Sequence, residues 1–218
     1  MKTAAIFGSS GLIGKSILLK LLKSDNYSRV KAFVRSEIEI DHPKLDIIIT
    51  DFSKLDEIEY LLNVDECYFC IGTTRRKTPR KTDYIKIEYE LPIKIAEICK
   101  RNDIDKFIYI SSLGASPNAA SLYLRNKGKT ESDLKNFKFK KLIIIRPSIL
   151  IGERKENRIG EKLGLLIMNS LSILLMGKLK KYKPIKSTVV ANSIFKIANK
   201  NIEKEIFESD ELVEIEKE

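Results

Sequence analysis

Gly8-Ser9-Ser10-Gly11-Leu12-Ile13-Gly14 follows a short apolar run, Thr3 to Phe7, and opens onto a helical pattern from Lys15 to Lys23. The glycines sit where a strand must reverse tightly into a helix while its backbone comes closer to a pyrophosphate than a β-carbon permits. Gly8 makes the turn. Gly11 lets the backbone approach the phosphates, whose charge the first helical amides and the positive end of the helix dipole stabilise, and Gly14 lets the helix lie against the strand. Ser10, Leu12 and Ile13 are counted with them as cofactor-binding positions. The spacing is G-x-x-G-x-x-G, one residue wider before the middle glycine than the commoner dinucleotide fingerprint, so the surrounding pattern has to support the reading.

It does. Strand-like runs at Thr3–Phe7, Val30–Val34, Leu45–Thr50, Glu66–Ile71, Lys106–Ser111 and Leu142–Arg146 alternate with helical segments near 12–24, 54–62, 83–101 and 120–136. Such alternation requires parallel pairing through right-handed crossovers, hence an α/β fold with a doubly wound, mostly parallel, Rossmann-like sheet. Residues 1–218 read as a single nucleotide-binding domain, with a small C-terminal substrate lobe at about 152–201 that includes an apolar helix around Leu163–Met176. Thr188–Asn199 reads as a further helix, and Glu203–Ile215 as a strand with a charged tail. In an open sheet of this kind the ligand lies beyond the carboxyl ends of the strands. The residues found there are the glycine turn, Arg35 and Ser36, Asp51 and Phe52, Gly72 with Thr73 and Thr74, Ser111 and Ser112, and Arg146 with Pro147.

Forty basic against thirty acidic residues give a formal charge of +10. The charges are dispersed, and the two dense clusters, 75–81 and 178–183, lack the interleaved aromatics of a base-stacking surface, which argues against nucleic acid as a partner. No segment is apolar enough to span a bilayer and no basic-then-apolar leader opens the chain, so a cytoplasmic protein without membrane association is expected. With three cysteines and one histidine no metal site is expected. Cys67 and Cys70 fall in one strand-like run and point to opposite faces, so free thiols are expected rather than a redox pair.

Tyr123 and Lys127 stand four apart in a helical segment, so their β-carbons lie about 5 to 6 Å apart on one face. A free tyrosine titrates near pH 10 and a nearby cation favours its phenolate. Tyr123 is thus read as the acid that protonates a carbonyl oxygen, with Lys127 tuning it and holding the ribose of a nicotinamide nucleotide. Ser112, at the end of the fifth strand, would hydrogen-bond the same oxygen; strand alternation turns Ser111 away if Ser112 faces the site, and the pair is left in that order of preference. Arg35 stands at the end of the second strand, where an acidic residue would accept a ribose 2′-hydroxyl and an arginine a 2′-phosphate, so NADP(H) is favoured and NAD(H) left open, with Glu37 close by. Asp51 is read on the adenine edge with Phe52 packed beside it, or else as a plain turn aspartate. Gly72 and Thr73 complete the cofactor-binding set.

The chain resembles the atypical and extended short-chain dehydrogenase/reductases, in which a glycine-rich turn, a serine ending the fifth strand and Tyr-x-x-x-Lys recur in this order. Cys70-Ile71-Gly72-Thr73-Thr74-Arg75, Ser111-Ser112-Leu113-Gly114-Ala115, Tyr123-Leu124-Arg125-Asn126-Lys127-Gly128 and the stretch from Arg146-Pro147 to Arg158-Ile159-Gly160-Glu161 are similar to the Tat-interacting-protein subgroup. The resemblance implies NADP(H) binding, Ser112, Tyr123 and Lys127 as the catalytic set, and Arg146-Pro147 on the nicotinamide side. An NADP(H)-dependent reductase of a small-molecule carbonyl is the expectation. Two alternatives stand beside it: a nucleotide-sensing regulator acting through a protein partner, and an epimerase or dehydratase that retains its cofactor.

Overall fold

The structure, a computed structural model, describes residues 1–152 and 177–218. The apolar helix expected at 163–176 lies outside them. Seven strands form one sheet: β1 (Lys2–Phe7), β2 (Tyr27–Val34), β3 (Leu45–Ile49), β4 (Glu66–Phe69), β5 (Lys106–Ile110), β6 (Lys141–Arg146) and, after a two-stranded pair β7 (Leu150–Ile151) and β8 (Ile185–Lys186), β9 (Ile206–Glu208). Their order is β3-β2-β1-β4-β5-β6-β9 and each of the six pairings is parallel. All the strands therefore end at one edge, and the order reverses between β1 and β4, where the glycine turn and Gly72 emerge.

Side-chain alternation divides the core by face. Ala4, Ile6, Tyr68, Ile108 and Ile143 pack with Ile17, Leu18 and Leu21 of α1 (Leu12–Lys23), with Val190 and Ile194 of α6 (Ser187–Asn199), and with Leu212 of α7 (Ser209–Lys217). Their neighbours Ala5, Phe7, Cys67, Phe69, Phe107 and Ile144 face the other way, onto Ile95, Ile98 and Cys99 of α4 (Leu91–Arg101) and Leu134 of α5 (Leu122–Asn136). Both faces are covered, which is why the strands read as nearly unbroken apolar runs. Cys67 and Cys70 leave β4 on opposite sides and all three cysteines are free.

Several element bounds differ from the sequence reading. The helix expected at 54–62 is one turn, α2 (Asp56–Glu59). The helix expected from 83 begins at Lys81 as α3 (Lys81–Ile85) and runs through a π-helical segment, Lys86–Glu90, before continuing as α4. The tail is helical: Glu208 and Glu211 exchange backbone and side-chain hydrogen bonds in a capping box, and acidic residues at a helix start suit its dipole. Of the stretch expected as a lobe, α6 packs on α1 and α7 in the helical layer.

Candidate active site

The glycine turn is built on backbone contact. Gly8 has φ +87°, in the left-handed region, and a β-carbon there would come within 2.8 Å of the Cys70 carbonyl carbon and the Ile71 nitrogen. At Gly14 a β-carbon would sit 2.2 Å from the Gly8 oxygen, so α1 starts directly on the turn. Gly11 is the helix N-cap and offers no side-chain cap, which leaves the first amides for a ligand. Ser10 and Gly11 are exposed, Ile13 is buried under the turn, and Leu12 is half-buried against Gly152, where a β-carbon would lie 2.7 Å from Leu12 Cδ1. Ser9 Oγ is buried without a hydrogen-bond partner among the described residues. A cradle that β-carbons would fill, at the start of an uncapped helix, fits a pyrophosphate.

Beyond β2, Arg35 is exposed and forms no ion pair among the described residues. Beyond β3, Asp51 Oδ1 accepts from the Ser53 hydroxyl at 2.7 Å and the Ser53 amide at 2.8 Å, and these bonds hold the Asp51 pKa below its ordinary value. Phe52 follows at φ +63°, a conformation rare for a bulky residue, with its ring 6.0 Å from that of Phe7. The third strand thus ends in a turn that fixes the aspartate by its own neighbour.

Ser111 and Ser112 part at the end of β5. Ser111 is buried and its Oγ donates to Glu131 Oε1 at 2.5 Å; Ser112 is half-buried, and its hydroxyl has only a 3.4 Å contact to Leu113 O. The loop that follows is pressed onto α5, because a β-carbon at Gly128 would lie 2.2 Å from the Ser116 carbonyl carbon. That contact brings the Ser112 loop and the Tyr123–Lys127 helix together, with Ser116 N donating to Leu124 O at 3.2 Å.

Lys127 is buried. Its Nζ donates to Ile110 O at 3.0 Å, lies 3.1 Å from Glu88 Oε2, and stands 4.8 Å from the centroid of the Tyr109 ring. Burial disfavours the ammonium, yet Glu88 and nearby phenols, Tyr123 among them, hold the Lys127 pKa well above its ordinary value. Tyr123 is half-buried at the start of α5 and in electrostatic reach of Lys127 and Tyr84. Burial, with Glu88 adding to it, raises the Tyr84 pKa, and the Arg75 guanidinium lies 5.6 Å from the Tyr84 ring centroid.

Gly72 is exposed and Thr73 half-buried at the end of β4, with Thr73 N donating to Glu88 Oε1 at 2.5 Å. Arg146 and Pro147 end β6. Pro147 is buried and its carbonyl accepts from Leu113 N at 2.9 Å, whereas the Arg146 guanidinium is turned onto Glu131, Nε to Oε1 at 2.9 Å and Nη2 to Oε2 at 2.5 Å. Glu88 and Glu131, neither singled out by the sequence reading, are the carboxylates that anchor this side of the site. Glu88 occupies an inward position four residues after Tyr84 on an apolar helix face, the one signal that marked it.

Among the described residues no cluster of side chains could hold a metal ion, and no helix is long and apolar enough to cross a membrane. Residues 8–168 match the family described as NAD(P)H-binding. Protein HTATIP2 of Rattus norvegicus is 32% identical over 174 residues, covering 78% of this chain and 72% of the rat protein. Protein FMP52-1, mitochondrial, of Scheffersomyces stipitis is 30% identical over 200 residues, covering 88% and 82%; with a relative so named, the cytoplasmic compartment expected from the sequence stays a proposal. In fold the chain is similar to a UDP-N-acetylglucosamine 4-epimerase from Methanobrevibacter ruminantium M1, with TM-score 0.71, 18% identity, and 98% of this chain and 80% of that one covered. The glycine cradle, the strand order and these relatives agree, and the chain belongs to the NAD(P)H-binding family, among the atypical short-chain dehydrogenase/reductases of the Tat-interacting-protein type.

Proposed function

We propose that the protein is an NADP(H)-dependent oxidoreductase that reduces the carbonyl of a small molecule, with Tyr123 as its acid. The observation that carries this reading is the buried Lys127 ammonium, anchored by Ile110 O and Glu88 one helical turn from the Tyr123 phenol. When bound, the nicotinamide nucleotide supplies the hydride. Tyr123 donates its phenolic proton to the carbonyl oxygen as hydride adds to the carbon and the π electron pair of the C=O bond moves onto that oxygen. Ser112 donates a hydrogen bond to the same oxygen and holds it toward the phenol, a role its weakly engaged hydroxyl leaves open. Exposed Arg35 would pair with the 2′-phosphate, and Asp51 with Phe52 would border the adenine.

The test is NADPH consumption over a panel of aldehydes and ketones by the wild type and by Tyr123→Phe. Oxidation by the wild type, with loss of about 100-fold or more in the variant at undiminished NADPH binding, is expected for an acid of this kind. Unaltered turnover in Tyr123→Phe would overturn the assignment. A wild type that interconverts a substrate with no net NADPH consumption would favour the cofactor-retaining epimerase instead, and tight NADPH binding without any turnover would favour a nucleotide sensor.

A further inference from the structure

Glu88 is 1% exposed and belongs to the π-helical segment Lys86–Glu90. Segments of this kind insert an extra residue into a helical turn and are frequent at functional sites. A carboxylate so deeply buried needs partners, and it has them on two separate elements, a hydrogen-bond donor at one oxygen and a cation at the other. Its Oε1 accepts the Thr73 amide at 2.5 Å, just beyond β4, and its Oε2 lies 3.1 Å from Lys127 Nζ on α5. The Glu88 carbonyl in turn accepts from Thr130 Oγ1 at 3.2 Å, three residues past Lys127. At Gly72 a β-carbon would stand 3.5 Å from Oε1, so the loop after β4 lies directly on the carboxylate.

An ammonium carries three protons. On Lys127 one goes to Ile110 O at 3.0 Å, the Glu88 carboxylate pairs with the charge at 3.1 Å, and the Tyr109 ring closes a further side.

We propose that Glu88 is a positioning residue for Lys127: its carboxylate ties the ammonium to the Thr73 amide, so that the loop after β4 and the Tyr123–Lys127 helix are fixed to each other and the ammonium is held in place for the nicotinamide-side ribose. The inference rests on the nucleotide-binding part of the function proposed above. Both groups that meet the carboxylate are donors, so two acceptors are required. Glutamine has one acceptor and turns its amide NH2 against the other donor; aspartate keeps both acceptors on a stem one methylene shorter.

The experiment compares wild type, Glu88→Gln and Glu88→Asp for affinity toward NADPH and toward 2′,5′-ADP, which lacks the nicotinamide ribose, by fluorescence titration and calorimetry. Glu88→Gln is expected to weaken NADPH binding about tenfold or more, as befits a lost hydrogen bond from a charged donor, and to leave 2′,5′-ADP within about twofold. Glu88→Asp recovers most of the difference. Should Glu88→Gln alone be insoluble, the Lys127→Met background decides, since adding Glu88→Gln to it leaves no unpaired charge and changes NADPH affinity by no more than about twofold if Glu88 acts through Lys127. Equal loss of both ligands, or loss of neither, or a further loss in the Lys127→Met background, overturns the proposal. A wild type that binds neither NADPH nor NADH overturns the functional reading and this inference with it, which separates the two failures.

Discussion

Arg146 and Glu131 face each other in a forked pair, two nitrogens on two oxygens at 2.9 and 2.5 Å, with Ser111 Oγ adding a third donor to the same carboxylate at 2.5 Å. Three donors converge on one buried side chain. Glu131→Ala leaves the Ser111 hydroxyl unmatched and the guanidinium with Glu208 Oε1 at 3.8 Å, and a cost of about 3 kcal/mol in urea denaturation is expected, at the low end for a broken buried pair because Arg146 keeps that second carboxylate and some exposure.

The two serines beside that pair separate stability from chemistry. Ser111→Ala removes a donor from a buried carboxylate and is expected to cost about 1 to 2 kcal/mol of stability, read in the same denaturation assay. Ser112→Ala touches no buried partner; its stability should stay within about 0.5 kcal/mol of wild type while carbonyl turnover falls. Equal effects of the two on both assays would contradict the division.

Gly14→Ala places a methyl group 2.2 Å from the Gly8 oxygen, which is backbone and has no rotamer to yield. Destabilisation of about 3 kcal/mol is expected, with loss of nucleotide binding at temperatures where the variant is still folded. Thermal denaturation with and without NADPH checks both parts, since a bound nucleotide raises the wild-type midpoint alone.

Arg35→Ala should discriminate between nucleotides. A charge-assisted pair with the 2′-phosphate is worth about 1.5 to 3 kcal/mol, so NADPH affinity falls roughly 10- to 100-fold while NADH affinity is unchanged. Parallel titrations with the two coenzymes provide the measurement, and an equal change in both would remove Arg35 from the 2′-phosphate.

At the opposite end of the sheet, Glu66 accepts from the Tyr27 hydroxyl at 2.7 Å, from Tyr68 at 2.8 Å and from Lys106 at 2.7 Å. Burial pushes the Glu66 pKa up, but the hydrogen bonds from Lys106, Tyr27 and Lys2 outweigh it and the folded value lies below the ordinary one. A depressed folded pKa contributes stability above the unfolded value of about 4.3 and loses it as pH falls through the folded one. Burial raises the pKa values of Tyr27 and Tyr68 in turn, so their contribution is complete below about pH 10 and is lost as pH rises beyond it. Denaturation midpoints should therefore fall at both extremes, and Glu66→Gln should flatten the acid limb.

The strand-ending residues were legible because the sheet's periodicity places them: a run of apolar residues, then Gly8, Arg35, Asp51, Gly72 or Ser112, identifies one edge of the molecule. The preference for Ser112 over Ser111 follows from the same period of two, and Ser111 does turn inward. What the sequence concealed are partners set by tertiary distance. Arg146 reads as a ligand residue at a strand end, and its attachment to Glu131 depends on how α5 crosses β6. Glu88 was passed over for another reason: its i, i+4 spacing from Tyr84 marks an inward position and no more, and nothing in the sequence announces the π-helical turn that carries it. Gly128 looked like part of a motif, whereas its role is the 2.2 Å approach of the Ser116–Pro117 backbone. The last helix was missed because its charges obscured a capping box at Glu208 and Glu211.

The strand order also dictates the sequence of events during synthesis. Residues 1–49 contain β1, β2 and β3, which lie side by side in the order β3-β2-β1, so one half of the sheet can close while the rest of the chain is still being made. Until β4 arrives, β1 presents an open row of amides and carbonyls, and at the far side β6 waits for Ile206–Glu208, which follow it well downstream in the chain. An unpaired edge of that kind is a template for other chains. Truncation before β9 is thus a lesion of solubility before it is one of activity.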